Sequence, residues 1–221
     1  MNIDMKKWAY MLIVAGILVM IYPQANEWYD DWQQGRLLSQ AEQTAAVSHQ
    51  NTTKNLKNSY SEVNALLNEG AAADNINSKT ELPASGEILG VIHIPVIDVE
   101  LPIVEGATRE NMRSAAVHIS ETDQLGQKGN FAVAAHRAHK TGRLFNRLGE
   151  VKVGDSIQIE SAGQQYNYQV DRIRIVEPTE VSVLDSDHQS EELTLVTCDP
   201  LINPTHRLIV HAVRVYDPIN E

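Results

Sequence analysis

A chain of 221 residues can hold one domain of ordinary size with an extension but not two large domains, and its 43% hydrophobic content suits a packed core. The formal net charge of -11, a pI near 5.1 and the lack of any Lys/Arg stripe exclude nucleic acid as a partner, because that binding needs clustered cations to displace counterions. The single cysteine, Cys198, excludes an internal disulfide, so its thiol is either buried and inert or kept for its reactivity.

Residues 8–25 carry no charge and are almost wholly apolar up to Pro23. At a rise of about 1.5 Å per residue such a helix nearly crosses a hydrocarbon core of roughly 30 Å, and Trp8, Tyr10, Tyr22 and Trp28 supply interfacial aromatics. Lys6 and Lys7 precede the stretch, whereas Glu27, Asp30 and Asp31 follow it. The positive-inside rule therefore predicts a single-pass cell-membrane protein with a cytoplasmic N-terminus and everything after about Ala25 outside. A cleaved signal peptide would need small residues around the cut, and residues 22–26 offer no A-x-A site, so residues 1–25 read as a signal anchor.

Residues 27–67 are polar and rich in Gln, Asn, Ala and Ser, with scattered apolar residues at three- and four-residue spacing. They predict a weakly amphipathic helical stalk without a core, broken near 48–53, and residues 70–78 read as a flexible linker. Residues 26–85 as a whole are expected to tether an extracellular domain.

From Gly86 to the end, 86–221, the pattern changes to β-branched runs separated by Gly, Pro, Asp and Asn. Strands are predicted at 88–94, 99–104, 130–135, 156–160, 166–175, 193–197 and 208–215, with an eighth candidate at 116–119. Such regular spacing suggests an all-β barrel, interrupted by short helices at 109–114 and 142–149, the second with Leu144, Phe145 and Leu148 on one face.

The last two strands form a hairpin whose loop, 199–206, contains two prolines and an asparagine. Antiparallel pairing sets Cys198 opposite Arg207 at the loop mouth. A guanidinium beside a thiol can lower its pKa or hold a developing oxyanion. A nucleophilic cysteine also needs an acid or base within reach. His136, where the strand NFAVAA ends, and His139, in the loop that follows, are equally good candidates by position; His211 lies mid-strand, and His49, His188 and His206 sit in polar surroundings.

The run Thr194-Leu195-Val196-Thr197-Cys198 followed after a loop by Arg207, together with Ala135-His136-Arg137 after a strand, resembles the sortase family. Its histidine motif has Gly where Ala135 stands, a mild departure unless the position needs positive φ. The likeness runs from about Gly86 to Tyr216 and leaves the stalk uncovered. A single N-terminal apolar segment, no C-terminal one and no visible lid most resemble class D, found in Gram-positive bacteria.

The resemblance implies a closed eight-stranded barrel, and it implies a cysteine transpeptidase with Cys198 as nucleophile, His136 as acid and base, and Arg207 as oxyanion holder. Thr197 either supports the backbone or contacts the substrate. The implied partners are exported proteins with C-terminal LPxTG-like signals and a peptidoglycan precursor or stem-peptide amine. No cofactor or metal is expected, since no carboxylate cluster has Ca-loop spacing. The alternatives are an extracellular cysteine protease and a non-catalytic membrane-tethered barrel with Cys198 simply buried. Arg137 and Arg143 read as surface or loop-anchoring residues, and Asp123 and Asp199 as turn residues. Residues 82–86 spell LPASG, a turn before the first strand or, less readily, a pseudosubstrate.

Overall fold

The computed structural model describes residues 3–43, 56–69, 86–140 and 142–216. Its centre is a closed eight-stranded barrel in the order β1-β2-β3-β4-β7-β8-β6-β5. The strands are β1 (Ile88–Ile94), β2 (Val99–Glu105), β3 (Ala116–His118), β4 (Gly129–Ala134), β5 (Ser156–Ser161), β6 (Gln164–Val176), β7 (Glu191–Asp199) and β8 (His206–Val215). All eight predicted strands are present, each within about three residues of its expected ends. The pairings are antiparallel except β2 with β3 and β4 with β7, which are parallel.

Alternation along the strands sorts side chains between two cores. Phe131, Val133 and Ala135, Leu193 and Leu195, and Leu208 and Val210 fill the barrel interior. Ala132, Ala134, Val196, Cys198 and Ile209 line the outer face of β4, β7 and β8 and belong to a second cluster. Local turns lock the start of β4: the Asp123 carboxylate accepts the Asn130 N–H at 2.9 Å. A Cβ on Gly129, whose φ is 134°, would lie 2.1 Å from that carboxylate, so only glycine fits.

Helices cover the barrel more fully than the sequence suggests. Helix α1 (Ile3–Gln43) is continuous, and α2 (Leu56–Glu69) and α3 (Arg109–Ser114) follow, α3 capped by the Thr108 hydroxyl accepting from the Asn111 N–H at 3.1 Å. Within the segment read as a helical stalk, buried Asp30 of α1 pairs with Arg113 (3.0 Å) and Arg143 (3.1 Å), and Asp31 reaches Lys140 at 2.5 Å. In α2, Tyr60, Val63 and Leu67 are buried in the outer cluster. Three apolar residues at i, i+3 and i+7 make one narrow stripe; the sequence shows the stripe but not the surface it fits. The predicted break at 48–53, the linker at 70–78 and positions 82–85 lie outside the described residues.

The expected helix at 142–149 is corrected to a series of turns with a single 3-10 turn at Leu148–Glu150. Gly142 and Leu144 adopt positive φ (78° and 49°), Leu144 bridges to Arg137, and the Phe145 N–H donates to the His136 carbonyl at 3.0 Å. Leu144, Phe145 and Leu148 are buried, as their spacing implies, yet they close the barrel end as a tied loop. Tertiary contacts here override a weak helical periodicity.

Outside the barrel on β8, His211 shares a hydrogen bond with Thr194 (3.0 Å), whose hydroxyl also donates to Asn130 (2.7 Å). Burial, with repulsion from Arg172 adding to it, pushes the His211 pKa down to about 4 from 6.5. The imidazole is thus neutral in the fold and binds a proton more readily in the unfolded chain. Its contribution is complete above about pH 6.5 and is lost as pH falls toward 4, an effect of up to about 3 kcal/mol. Urea midpoints across that window are expected to fall more steeply for the natural chain than for His211→Gln.

Candidate active site

Cys198, Arg207 and the end of β4 meet because three neighbouring strands are held in register. In the β7–β8 ladder Cys198 is the direct partner of Arg207. In the parallel β4–β7 ladder Ala134 pairs with Val196, and the Ala135 N–H continues it by donating to the Val196 carbonyl at 3.1 Å. Cys198 and Arg207 lie on the outer face with Ala134, Val196 and Ile209, and His136 follows two residues after the last β4–β7 pair. His136 is half-buried, whereas His139 is exposed in the following loop.

Thr197 is on the opposite face of β7 from Cys198. It is fully buried, its partner is the interior residue Leu208, and its hydroxyl donates to the Ala135 carbonyl at 2.8 Å. Of its two readings, substrate contact and backbone support, this geometry fits the second: Thr197 ties Ala135 to the cysteine strand from within.

Arg137, read from the sequence as a surface or loop-anchoring residue, anchors the chain next to the thiol. Its guanidinium donates to the Cys198 carbonyl at 3.3 Å and to the Asp199 carboxylate at 2.5 Å. It thereby ties the chain carrying His136 to the strand carrying Cys198, with only part of the ion pair open to water. The signal available was the adjacent pair His136-Arg137, which does not reveal its partner 62 residues away.

The thiol and Arg207 are covered by α2. The Cys198 thiol donates to the Leu67 carbonyl at 3.4 Å and is 5% exposed. Arg207 is fully buried, and its partners are carbonyl oxygens rather than carboxylates: Asn64 Oδ1 (2.6 Å), Asn68 Oδ1 (2.8 Å), and the main chain of Asn64 (3.2 Å) and His206 (3.0 Å). Asn64 also donates to the Pro178 carbonyl at 2.7 Å, joining α2 to the loop between β6 and β7. Burial pushes the Cys198 thiol pKa up, against the opposing pull of Arg207 and, less strongly, Arg137. Under α2 the sulfur is held as a neutral thiol, while two guanidinium groups are placed to favour the thiolate once water reaches it.

The outer face of β4, β7 and β8 thus holds a thiol beside a buried guanidinium, suited to attack on a carbonyl group. The sortase domain family matches residues 92–215, a span that contains His136, Cys198 and Arg207. The chain belongs to the sortase family. Sortase A of Bacillus anthracis is 34% identical over 124 residues, 56% of this chain and 58% of that protein. Sortase D of Bacillus subtilis is 29% identical over 142 residues, covering 63% and 70%. A lid mutant of sortase A from Corynebacterium diphtheriae superposes with a TM-score of 0.59 at 28% identity, over 75% of this chain and 97% of that one. The aligned region thus spans little more than half of the Bacillus anthracis relative. Sortases as a family are cysteine transpeptidases.

Arg137 gives a prediction that separates support of the sortase site from support of the fold. Removing its charge leaves the Cys198 thiolate less favoured, so Arg137→Ala is expected to slow alkylation of Cys198 about tenfold at neutral pH and move its pH profile upward. Arg137→Lys, which keeps the charge, is expected to restore most of the profile. A purely structural role would show the same loss of thermal stability in both variants with no displaced profile.

Proposed function

We propose that this chain is a membrane-anchored transpeptidase that cleaves an LPxTG-like sorting signal and transfers the exported protein to a cell-wall amine. The observation that carries the reading is the direct pairing of Cys198 with Arg207 on β7 and β8, with His136 following the end of the neighbouring strand β4. In this mechanism the Cys198 thiolate attacks the carbonyl after Thr of the signal, and charge builds on the carbonyl oxygen beside Arg207. The carbon–nitrogen bond to Gly breaks as the His136 imidazolium gives its proton to the departing amine, leaving a thioester on Cys198. An incoming amine attacks that thioester, returns a proton to His136 and expels the thiolate. With one group acting as nucleophile and another as acid and base, activity is expected to peak at intermediate pH.

The anchor rests on the exposed apolar band of α1. Met11, Leu12, Ile13 and Val14 are 55–69% exposed and Met20 is 79% exposed, a surface that water does not favour. Among the described residues no helix is by itself long and apolar enough to cross a membrane. Fractionation of the full chain, with protease protection to read its orientation, tests the anchor: extraction by high salt alone would refute it.

The competing adaptor reading draws on the burial of Cys198, but that burial comes from α2, a separate helix resting on the site. The deciding experiment incubates the full chain with a sorting-signal peptide, with and without an added amine, and weighs the protein and the products. A thioacyl adduct on Cys198 and amine-dependent transfer product are expected. Hydrolysis alone would indicate a protease, and no adduct would favour the adaptor.

A further inference from the structure

Strand register builds a polar cavity on the side of the barrel away from the cysteine. In the closed order β1 is four strands from β7 in either direction, so a side chain pointing outward from β1 faces away from Cys198. His93 is such a side chain, because its neighbours Ile92 and Ile94 fill the barrel interior. The ladders set it beside Glu100 of β2 and Gln158 of β5, each its direct partner. Two residues along β5, Glu160 pairs with Val91 on one side and with Gln165 of β6 on the other. These side chains and the turn between β1 and β2 enclose about 400 Å³, within the range of about 300–1,000 Å³ common for small-molecule sites.

The lining selects its ligand by charge. The carboxylates of Asp98, Glu100 and Glu160 border the cavity, and among the described residues that line it there is no Lys or Arg. Arg147 reaches the Ile97 carbonyl at 2.9 Å, but its guanidinium is engaged by the Glu150 carboxylate at 2.9 and 2.7 Å and does not line the cavity. His93 Nδ1 lies 3.7 Å from the Glu100 carboxylate, longer than a hydrogen bond, so that carboxylate keeps its capacity to accept. A bare metal ion does not suit the spacing: among the described residues no three His, Cys, Asp or Glu side chains lie close enough to hold one. The three carboxylates come from two strands and a turn and approach from separate directions. A compact ammonium donating along three directions matches that arrangement better than a planar guanidinium, which favours two oxygens on one side. Pro95 and Val99 add apolar surface for an aliphatic stem, and the carboxamides of Gln158 and Gln165 each offer a donor and an acceptor to peptide groups.

We infer that this cavity is a second binding site, apart from the thiol, for a primary amine on an aliphatic stem carried by a peptide, as in a lysine side chain. The inference goes beyond the transpeptidase reading: an amine held beside β1 is on the far side of the barrel from Cys198 and is not the one that reacts there. Because the Glu100 side chain is 59% exposed, each ion pair is weak in water, and affinity comes from several contacts made together.

The test titrates the full chain with a capped lysine, Nα-acetyl-lysine N-methylamide, while the side-chain NMR signals of His93, Gln158 and Gln165 are followed. Saturable shifts are expected in all three. The same compound acetylated on its side-chain nitrogen keeps the peptide groups and loses the charge, and is expected to bind about fivefold more weakly or worse. Glu100→Gln/Glu160→Gln preserves shape and removes two charges; it is expected to weaken capped lysine by about fivefold or more and to leave transfer of a sorting-signal peptide to a soluble amine unchanged. Thermal unfolding checks that the variant is folded, and the comparison of the two lysine compounds on the natural chain needs no variant. Equal binding of both compounds, or full binding by the double variant, would overturn the inference. So would magnesium ions producing the same shifts at equal or lower concentration, which would mark a site for bare cations. A fall in transfer matching the loss of binding would overturn the separation of this site from the thiol.

Discussion

Replacing Cys198 by Ala is expected to abolish the thioacyl adduct and reduce peptide transfer by about 10⁵-fold or more, the scale seen when a covalent nucleophile is lost from a coupled set. No other side chain can substitute, because Cys198 is the only cysteine in the sequence and its register partners are Arg207 and the chain leading into His136. The substitution is small in volume, and Cys198 borders both β7 and α2, so the fold is expected to survive. Mass analysis of the protein after peptide incubation checks the result, with thermal unfolding showing that the barrel is intact. A Cys198→Ala chain that still transfers peptide would place the chemistry elsewhere.

The same thiol links pH to the position of α2. Burial raises the Cys198 pKa, which means that the docked state favours the protonated form. The stabilisation from this source is fully present below the pKa of the free thiol and is lost as pH rises through the higher value of the docked form. Alkaline conditions therefore favour release of α2, and amide exchange across 56–69 is expected to increase with pH beyond the intrinsic rise measured on the isolated peptide.

Replacing Arg207 by Ala is expected to have two opposite effects. Turnover should fall about 10²–10³-fold, the cost of removing one oxyanion donor from a preorganised site. Alkylation of Cys198 should nevertheless become faster, because Arg207 supplies the three bonds that hold Asn64 and Asn68 of α2. Arg207 also opposes the rise of the thiol pKa, so its loss disfavours the thiolate; accessibility is expected to dominate at alkaline pH, where the thiolate forms in either protein. Arg207→Lys keeps the charge but not a planar fork able to meet Asn64 and Asn68 together, and is expected to recover little of the turnover. Parallel measurement of kcat/KM and alkylation rate checks this; a fall in both at alkaline pH would remove Arg207 from the retention of α2.

Much of the barrel was legible because β-branched runs and turn residues recur at regular spacing from Gly86 onward, and every predicted strand is present. The hairpin pairing of Cys198 with Arg207 was equally legible, since antiparallel neighbours joined by a short loop have little freedom in register. The neighbourhood of β4 and β7 was not legible from either strand, because they are more than sixty residues apart and no local signal connects their parallel pairing. The turns at 142–149 misled for a related reason: Leu144, Phe145 and Leu148 show helical spacing, but their backbone is set by ties to Arg137 and His136.

The strands, the loop mouth that pairs thiol with guanidinium, and the family to which their motifs belong can be read from the chain, because each is encoded within a few residues or by one hairpin. The inward turn of Thr197, the bridge from Arg137 to Cys198 and Asp199, and the burial of Tyr60, Val63 and Leu67 over the outer face emerge only in the folded barrel. Those contacts join segments up to 143 residues apart. A short apolar stripe specifies that a helix must bury one face; only the complementary shape and the exposed donors of the folded barrel specify where.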